Sequence, residues 1–247
     1  MQNQEIWKPS KFVDKDGALR ASRDPQAVGV GSRLIVDLVA ERYGRHLREH
    51  ARGRLLDLGC GKVPLYGAYR EYVSENICVD WGGTLHKNAH LDYEFDLTEP
   101  LPLDDNAFET IILSDVLEHI PAPDQLWKEM ARLLSPGGKV VVNVPFYYWL
   151  HEQPHDYYRY TEFALRRFVD TSGLRLVHME ALGGVPEILA DIFAKNILRL
   201  TTLGPSLASM AQQVTLAFVR STLGRKISRE TSRDFPFGYF LIAQKPS

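Results

Sequence analysis

The chain has 247 residues, of which 45% are hydrophobic and 24% charged, with a formal net charge of −2 at pH 7. That size and balance suit one soluble globular domain with a sizeable core and a small appendage. They give no basic footprint for a nucleic-acid backbone. No stretch reaches the ~18 uncharged apolar residues of a membrane-spanning helix. The two cysteines, Cys60 and Cys78, fall in or beside buried strands. They read as small core residues rather than a disulfide framework. With the polar start Met1–Asp16, which lacks a signal-peptide core, they fit a cytoplasmic protein.

Residues 1–31 carry Pro, Gly and Ser without clear periodicity and are expected to form an irregular arm. From Ser32, a plausible cap, Leu34, Ile35, Leu38, Val39, Tyr43 and Leu47 fall at helical spacing. Strands and helices then alternate. The apolar runs predict strands at 54–58, 76–80, 91–95, 109–114 and 138–144. A helix is expected over 124–134, with Leu126, Trp127, Met130, Leu133 and Leu134 on one face. Ser135-Pro136-Gly137-Gly138 is expected to close it and turn into the next strand. Thr161 should cap a further helix that Gly173 stops, ahead of strands at 174–181 and 239–243. Between those two strands, residues 186–225 predict two amphipathic helices. One stripe is Ile188, Leu189, Ile192, Phe193 and Ile197. The other is Leu207, Met210, Val214 and Phe218. These faces pack on the domain, meet a second copy in a homodimer, cap the active site or meet lipid-linked material. The βα alternation predicts a parallel sheet covered on both faces. The whole of 32–247 reads as one domain with 186–225 inserted between its last two strands.

Leu55-Leu56-Asp57-Leu58-Gly59-Cys60-Gly61 is the most informative stretch. An apolar run ends in Asp-x-Gly-x-Gly, as a buried strand does when it breaks into a tight turn that admits a ligand. Ile77-Cys78-Val79 then ends in Asp80, a carboxylate placed to accept hydrogen bonds from both hydroxyls of a ribose. Pro64 occupies the last place of G-x-G-x-x-G, which counts against a dinucleotide site.

These segments resemble the class I S-adenosylmethionine-dependent methyltransferases, in the small-molecule branch that includes ubiquinone-biosynthesis enzymes. The likeness covers roughly 50–182 plus the last strand. Leu55–Gly61 and Val79-Asp80-Trp81 carry it, with Asp96-Leu97 ahead of 110–120 and Leu134-Ser135-Pro136-Gly137-Gly138-Lys139. The resemblance implies a Rossmann-like, doubly wound α/β fold. Its seven-stranded sheet is mostly parallel with an antiparallel last strand. It implies S-adenosyl-L-methionine as cofactor. Asp57, Gly59 and Gly61 then hold the methionine end and Asp80 the ribose. Trp81 flanks the adenine, Asp96 and Leu97 bind it, and Ser114 sits by the sulfonium. Where the family often has a third glycine, this chain has Val63.

The loop 144–161 packs five tyrosines, a tryptophan, two histidines and an arginine beside that site. His151-Glu152-Gln153-Pro154-His155 matches the zinc-protease pattern H-E-x-x-H. Pro154 forbids the helix that pattern needs, so no metal is assigned. Histidine is the usual base near neutral pH. His155 or His151 is therefore the expected general base, and Tyr157, Tyr158 and Arg159 the expected acceptor pocket. Arg159 could clamp an anionic acceptor or pair with Asp156 or Glu162. His119 in Leu117-Glu118-His119 is expected to be structural or to face the cofactor. The function expected is methyl transfer to a small-molecule or sugar acceptor, such as a glycan or natural product, most plausibly at a hydroxyl oxygen. The alternatives are a methyltransferase acting on protein or RNA, and a non-catalytic cofactor-binding partner subunit. Neither a basic groove nor an Asn/Asp-Pro-Pro-Tyr/Phe motif supports the macromolecular reading.

Overall fold

The structure, a computed structural model, describes residues 1–83, 88–200 and 202–247. In chain order it comprises β1 (Phe12–Lys15), β2 (Ala18–Ala21), α1 (Arg33–His50), β3 (Arg54–Leu58), α2 (Tyr66–Tyr69), β4 (Glu75–Asp80), β5 (Tyr93–Glu94) and β6 (Phe108–Ser114). There follow α3 (Pro123–Leu133), β7 (Leu134–Pro145), α4 (Glu162–Thr171), β8 (Arg175–Leu182), α5 (Val185–Ile197), α6 (Gly204–Arg220), α7 (Thr222–Thr231) and β9 (Gly238–Gln244). Two compact units result. One is Met1–Lys8, Arg45–Glu180 and Tyr239–Ser247, and the other is Pro9–Gly44 and Ala181–Gly238. No described helix is long and apolar enough to cross a membrane.

The first unit is built on a seven-stranded sheet of order β5-β4-β3-β6-β7-β9-β8. The pairs β3·β4, β3·β6, β4·β5 and β6·β7 are parallel, and the last strands are antiparallel. Leu55, Leu56, Val79, Ile111, Ile112, Val141 and Val142 are all buried. Unbroken apolar runs of this kind are what a parallel sheet covered on both faces requires. Leu126, Trp127, Met130 and Leu133 form the buried face of α3 as expected. Thr161 caps α4 by accepting from Ala164 N, and Gly173 follows it at φ 75°. The expected strand at 91–95 is shorter, spanning only Tyr93–Glu94.

One difference lies in β7. Ser135–Gly138 is not a turn ahead of the strand but a bulge within it. The register passes from Phe108↔Leu134 to Thr110↔Lys139. The Gly137 carbonyl is held by Arg52 Nη2 at 2.8 Å and Gln244 Nε2 at 3.0 Å. These partners satisfy a carbonyl the ladder leaves over.

The second unit departs further from expectation. Residues 12–21 are not irregular but a β-hairpin, pairing Phe12↔Ala21 through Lys15↔Ala18. Asp16 at φ 55° and Gly17 at φ 74° supply the two left-handed residues of a type I′ turn. Ser32 ends a 3-10 turn, Val30–Ser32, and stands directly before α1. Residues 185–231 form three helices, not two. Ser221 ends α6 and caps α7, accepting from Gly224 N at 3.1 Å. The expected apolar stripes are also mostly exposed: Leu189, Ile192, Phe193, Met210, Val214 and Phe218. The buried face instead carries Ile188, Ala190, Ala194, Ala208 and the polar Gln212. Gln212 accepts from Leu34 N at 2.6 Å and donates to Gly31 O at 3.0 Å. Alanines and a satisfied amide give no stripe of large apolar residues to read. Thr201, inside the expected helical insertion, lies outside the described residues.

Candidate active site

The strand order turns back between β3 and β6, so the crevice at their carboxyl ends is the switch point where α/β sheets bind ligands. β3 leaves into Gly59-Cys60-Gly61. Gly59 N and Cys60 N both donate to Val79 O, at 2.8 and 3.1 Å, tying the turn to β4. Gly59 sits at φ 67°, and a Cβ there would strike Val116 Cγ2. Gly61, at φ 51°, would point a Cβ into open space. That opening is the room a ligand needs against backbone. Val63 takes φ 50° although it is β-branched and fully buried. The chain thus keeps a glycine-like backbone where the resemblance expects glycine.

Asp80, at the tip of β4, accepts from Gly61 N at 2.8 Å through Oδ2 and from Trp81 N at 2.8 Å through Oδ1. A carboxylate has about four lone-pair sites, so both oxygens can still accept from a ribose. Phe95 N donates to Asp80 O at 3.0 Å and brings the 95–98 segment alongside. There Asp96 Oδ1 accepts from Thr98 N and Oγ1, at 2.9 and 2.7 Å, and Leu97 is buried. Ser114 ends β6 half-buried. Asp57 lies behind the turn, buried, with Tyr69 Oη donating to Oδ2 at 3.3 Å. Burial pushes its carboxyl up to about 7 and the nearby Asp80 charge adds to this, while the Tyr69 hydrogen bond opposes it.

The loop after β7 meets this edge. His155 and Trp81 are in edge contact, with centroids 5.6 Å apart. The His155 Nδ1 lies 3.2 Å from the Tyr157 hydroxyl, and the Tyr157 and Tyr158 rings are 6.2 Å apart. Trp81, Tyr157 and Tyr158 are each about half exposed. Residues 151–155 form no helix, so the H-E-x-x-H spacing has no helix face to act from. Arg159 is engaged within the loop. It forms a bidentate pair with Asp156 at 2.6 and 2.8 Å and donates to Tyr158 O at 2.8 Å and Trp149 O at 3.1 Å. The Arg159 hydrogen bonds hold the Asp156 carboxyl well below the usual range.

Sequence reasoning missed Glu118. It is fully buried, and neither carboxylate oxygen has a hydrogen-bond partner. His151 Nε2 stands 3.7 Å away and His119 Nε2 3.8 Å. Burial pushes the Glu118 carboxyl up. Burial alone would lower His151, but the Glu118 carboxylate outweighs it and the imidazole is raised. The backbone of the same residue carries the loop: Tyr157 N and Tyr158 N donate to Glu118 O at 2.9 and 3.3 Å. His119 Nδ1 donates to His155 O at 2.8 Å, the structural role expected of it. The Leu-Glu-His run was the available signal, and its glutamate was the informative member.

Residues 56–142 match the family described as a methyltransferase domain. A ubiquinone biosynthesis O-methyltransferase of Xanthomonas euvesicatoria is 30% identical over 105 residues, which are 38% of this chain and 44% of that protein. The chain carries a class I S-adenosylmethionine-dependent methyltransferase domain. The chain matches less than half the length of that relative. The match to the ubiquinone biosynthesis O-methyltransferase of Coxiella burnetii is longer, 25% identical over 154 residues, 52% of this chain and 66% of that protein. The methyltransferase fold extends beyond the matched segment. The crystal structure of the [4+2]-cyclase SpnF aligns with 96% of this chain and 88% of its own, at TM-score 0.58 and 19% identity. That a cyclase shares the architecture means the residues at the site, not the fold, must carry the function.

Proposed function

We propose that the chain is an S-adenosylmethionine-dependent methyltransferase acting on a hydroxyl oxygen of a small-molecule acceptor, of the glycan or natural-product kind. The observation that carries this reading is the meeting of Asp80 and Trp81 at the tip of β4 with His155 and its tyrosines. A ribose-binding carboxylate and an acceptor wall thus lie side by side. When bound, S-adenosylmethionine supplies an electrophilic methyl group. Gly61 leaves room for its backbone approach, Asp57 offers negative charge to its cationic end, and Asp80 accepts from its ribose. Asp96 and Leu97 lie where the adenine is expected, with Ser114 near the sulfonium.

On the acceptor side, Tyr157 and Tyr158 line the approach. His155, exposed and beside Trp81, takes the hydroxyl proton on an imidazole nitrogen, a contribution of ~10²–10⁴ in rate. Alignment supplies the larger share. His151, paired with Glu118, is the second candidate base. The Glu118 carboxylate beside it raises the imidazole, which suits His151 better to electrostatic support. Arg159 keeps the loop in shape through Asp156 instead of clamping an anion.

The test is calorimetric titration with S-adenosylhomocysteine on wild type and Asp80→Ala. Micromolar binding that Asp80→Ala weakens tenfold or more supports the cofactor site. Absence of binding to a folded wild type overturns the reading. Incubation with S-adenosylmethionine and hydroxylated acceptors, read by mass spectrometry for a gained methyl, then tests the acceptor class.

A further inference from the structure

Away from the strand ends, three histidines and two glutamates converge where α1 meets the edge strand β8. His46, Glu49 and His50 lie on the last turns of α1, and the i, i+4 pair His46 and His50 shares one helix face. His178 and Glu180 stand two apart on β8 and so share one sheet face. The His46 ring packs 4.5 Å from His178, 5.8 Å from His50 and 5.2 Å from Phe240, measured between centroids.

Two details point to a cation-binding arrangement. His46 is buried, yet neither of its ring nitrogens has a hydrogen-bond partner. Buried polar atoms are rarely left so. In addition, His46 Nε2 and His178 Nε2 lie 3.4 and 3.3 Å from the same oxygen of Glu180, and all three ligand atoms are within 4.8 Å of one another. His178 hydrogen-bonds that oxygen, while the His46 nitrogen stands 3.4 Å from it without a hydrogen bond. Both separations equal the edge of a tetrahedron whose centre is ~2.0–2.1 Å from each corner, the bond length of zinc to nitrogen and oxygen.

We propose that His46, His178 and Glu180 bind a divalent transition ion of the zinc class. His50 is stacked on His46 at 11° between planes, and its Nδ1 is engaged by Lys139 Nζ at 2.9 Å. It steadies the His46 ring and is not itself a ligand. Two imidazoles and one carboxylate leave a fourth position for water and disfavour magnesium or calcium, which prefer oxygen. The ion clips the end of α1 to β8. The inference is independent of the methyl-transfer reading, since binding and stability test it without turnover.

The experiment uses the tag-free full chain stripped with chelator, titrated with Zn²⁺ by calorimetry and with Co²⁺ by absorption. The expected result is one ion per chain. Thermal stability then rises by about 5–10 °C at a hundredfold excess over Kd. Cobalt d–d bands should appear without a thiolate charge-transfer band, which excludes Cys60 and Cys78 as ligands. His178→Ala, whose side chain is 36% exposed, should fold normally and bind at least tenfold more weakly, as should Glu180→Gln. His151→Ala should bind as wild type. No stoichiometric binding, binding that His178→Ala leaves intact, or binding that His151→Ala removes each overturns the proposal.

Discussion

The imidazole of His155 meets the indole of Trp81 edge-on, with centroids 5.6 Å apart and planes at 76°. Trp81 follows the tip of β4 and His155 lies in the loop after β7. The separate duties proposed for them predict a kinetic split. His155→Ala should lower kcat ~10²–10⁴-fold and change S-adenosylhomocysteine affinity by less than about threefold. Trp81→Ala, which removes a stacking face worth ~1–3 kcal/mol per base, should weaken that affinity tenfold or more. Steady-state rates and calorimetry on both variants check this. Equal losses of affinity would undo the division of roles.

Asp57 gives a pH signature with a definite sign. Its carboxyl is pushed up to about 7 in the folded chain, mainly by burial. The charged form is therefore the costly one. The penalty is absent below the unfolded value near 4, grows as pH rises, and is complete above about 7. Asp57→Asn should be more stable than wild type at pH 8, by about 2–4 kcal/mol, and indistinguishable from it at pH 4. A cationic ligand favours the ionised form, so wild-type binding should release a proton near pH 7. Titrations in buffers of different ionisation enthalpy measure that release, and Asp57→Asn should abolish it.

Glu118 and His151 provide a second linkage. His151 is raised by the Glu118 carboxylate against the opposing effect of burial. Its contribution to stability is thus present below pH ~6.5 and lost as pH climbs through the raised value. His151→Ala leaves a buried carboxylate without its cation and should cost about 1–3 kcal/mol at pH 6. Glu118→Gln should cost less and bring the imidazole titration down. Thermal melts and imidazole NMR titrations decide it. A His151 titration unmoved by Glu118→Gln would show that the 3.7 Å pair is idle.

Much of the cofactor edge was legible because its signals are local. Leu55–Gly61 states its strand and its turn within seven residues, and Asp80 follows at the end of the next apolar run. What escaped was set by distant partners or weak patterns. Glu118 gains meaning only from His151, which the fold brings back to it. The hairpin at 12–21 carried a readable Asp16-Gly17, but Phe12-Val13-Asp14-Lys15 and Ala18-Leu19-Arg20-Ala21 alternate too weakly to mark strands. The His46 and His178 pairing joins the first long helix to an edge strand and has no sequence trace beyond two short motifs.

Val63 reverses an ordinary preference. Glycine is normally less stable than alanine in ordered structure by ~0.5–1 kcal/mol. At φ 50° any Cβ is strained by ~1–3 kcal/mol. Val63→Gly should therefore be at least as stable as Val63→Ala, although both lose the two γ-methyls and glycine loses the buried Cβ as well. Denaturant midpoints of the two variants check this. A clear advantage for alanine would mean the backbone relaxes out of the left-handed region.

The three residues Val116-Leu117-Glu118 touch both halves of the site. Val116 stands over Gly59, where no Cβ fits, and Glu118 O holds the amides of Tyr157 and Tyr158. A segment so short moves as one piece. Occupying the glycine turn should therefore brace the loop proposed to receive the acceptor, and the two ligands are expected to bind cooperatively. Linkage requires the factor to be the same in either order of addition. Acceptor affinity measured with and without S-adenosylhomocysteine should accordingly rise by the same ratio as cofactor-product affinity measured with and without acceptor.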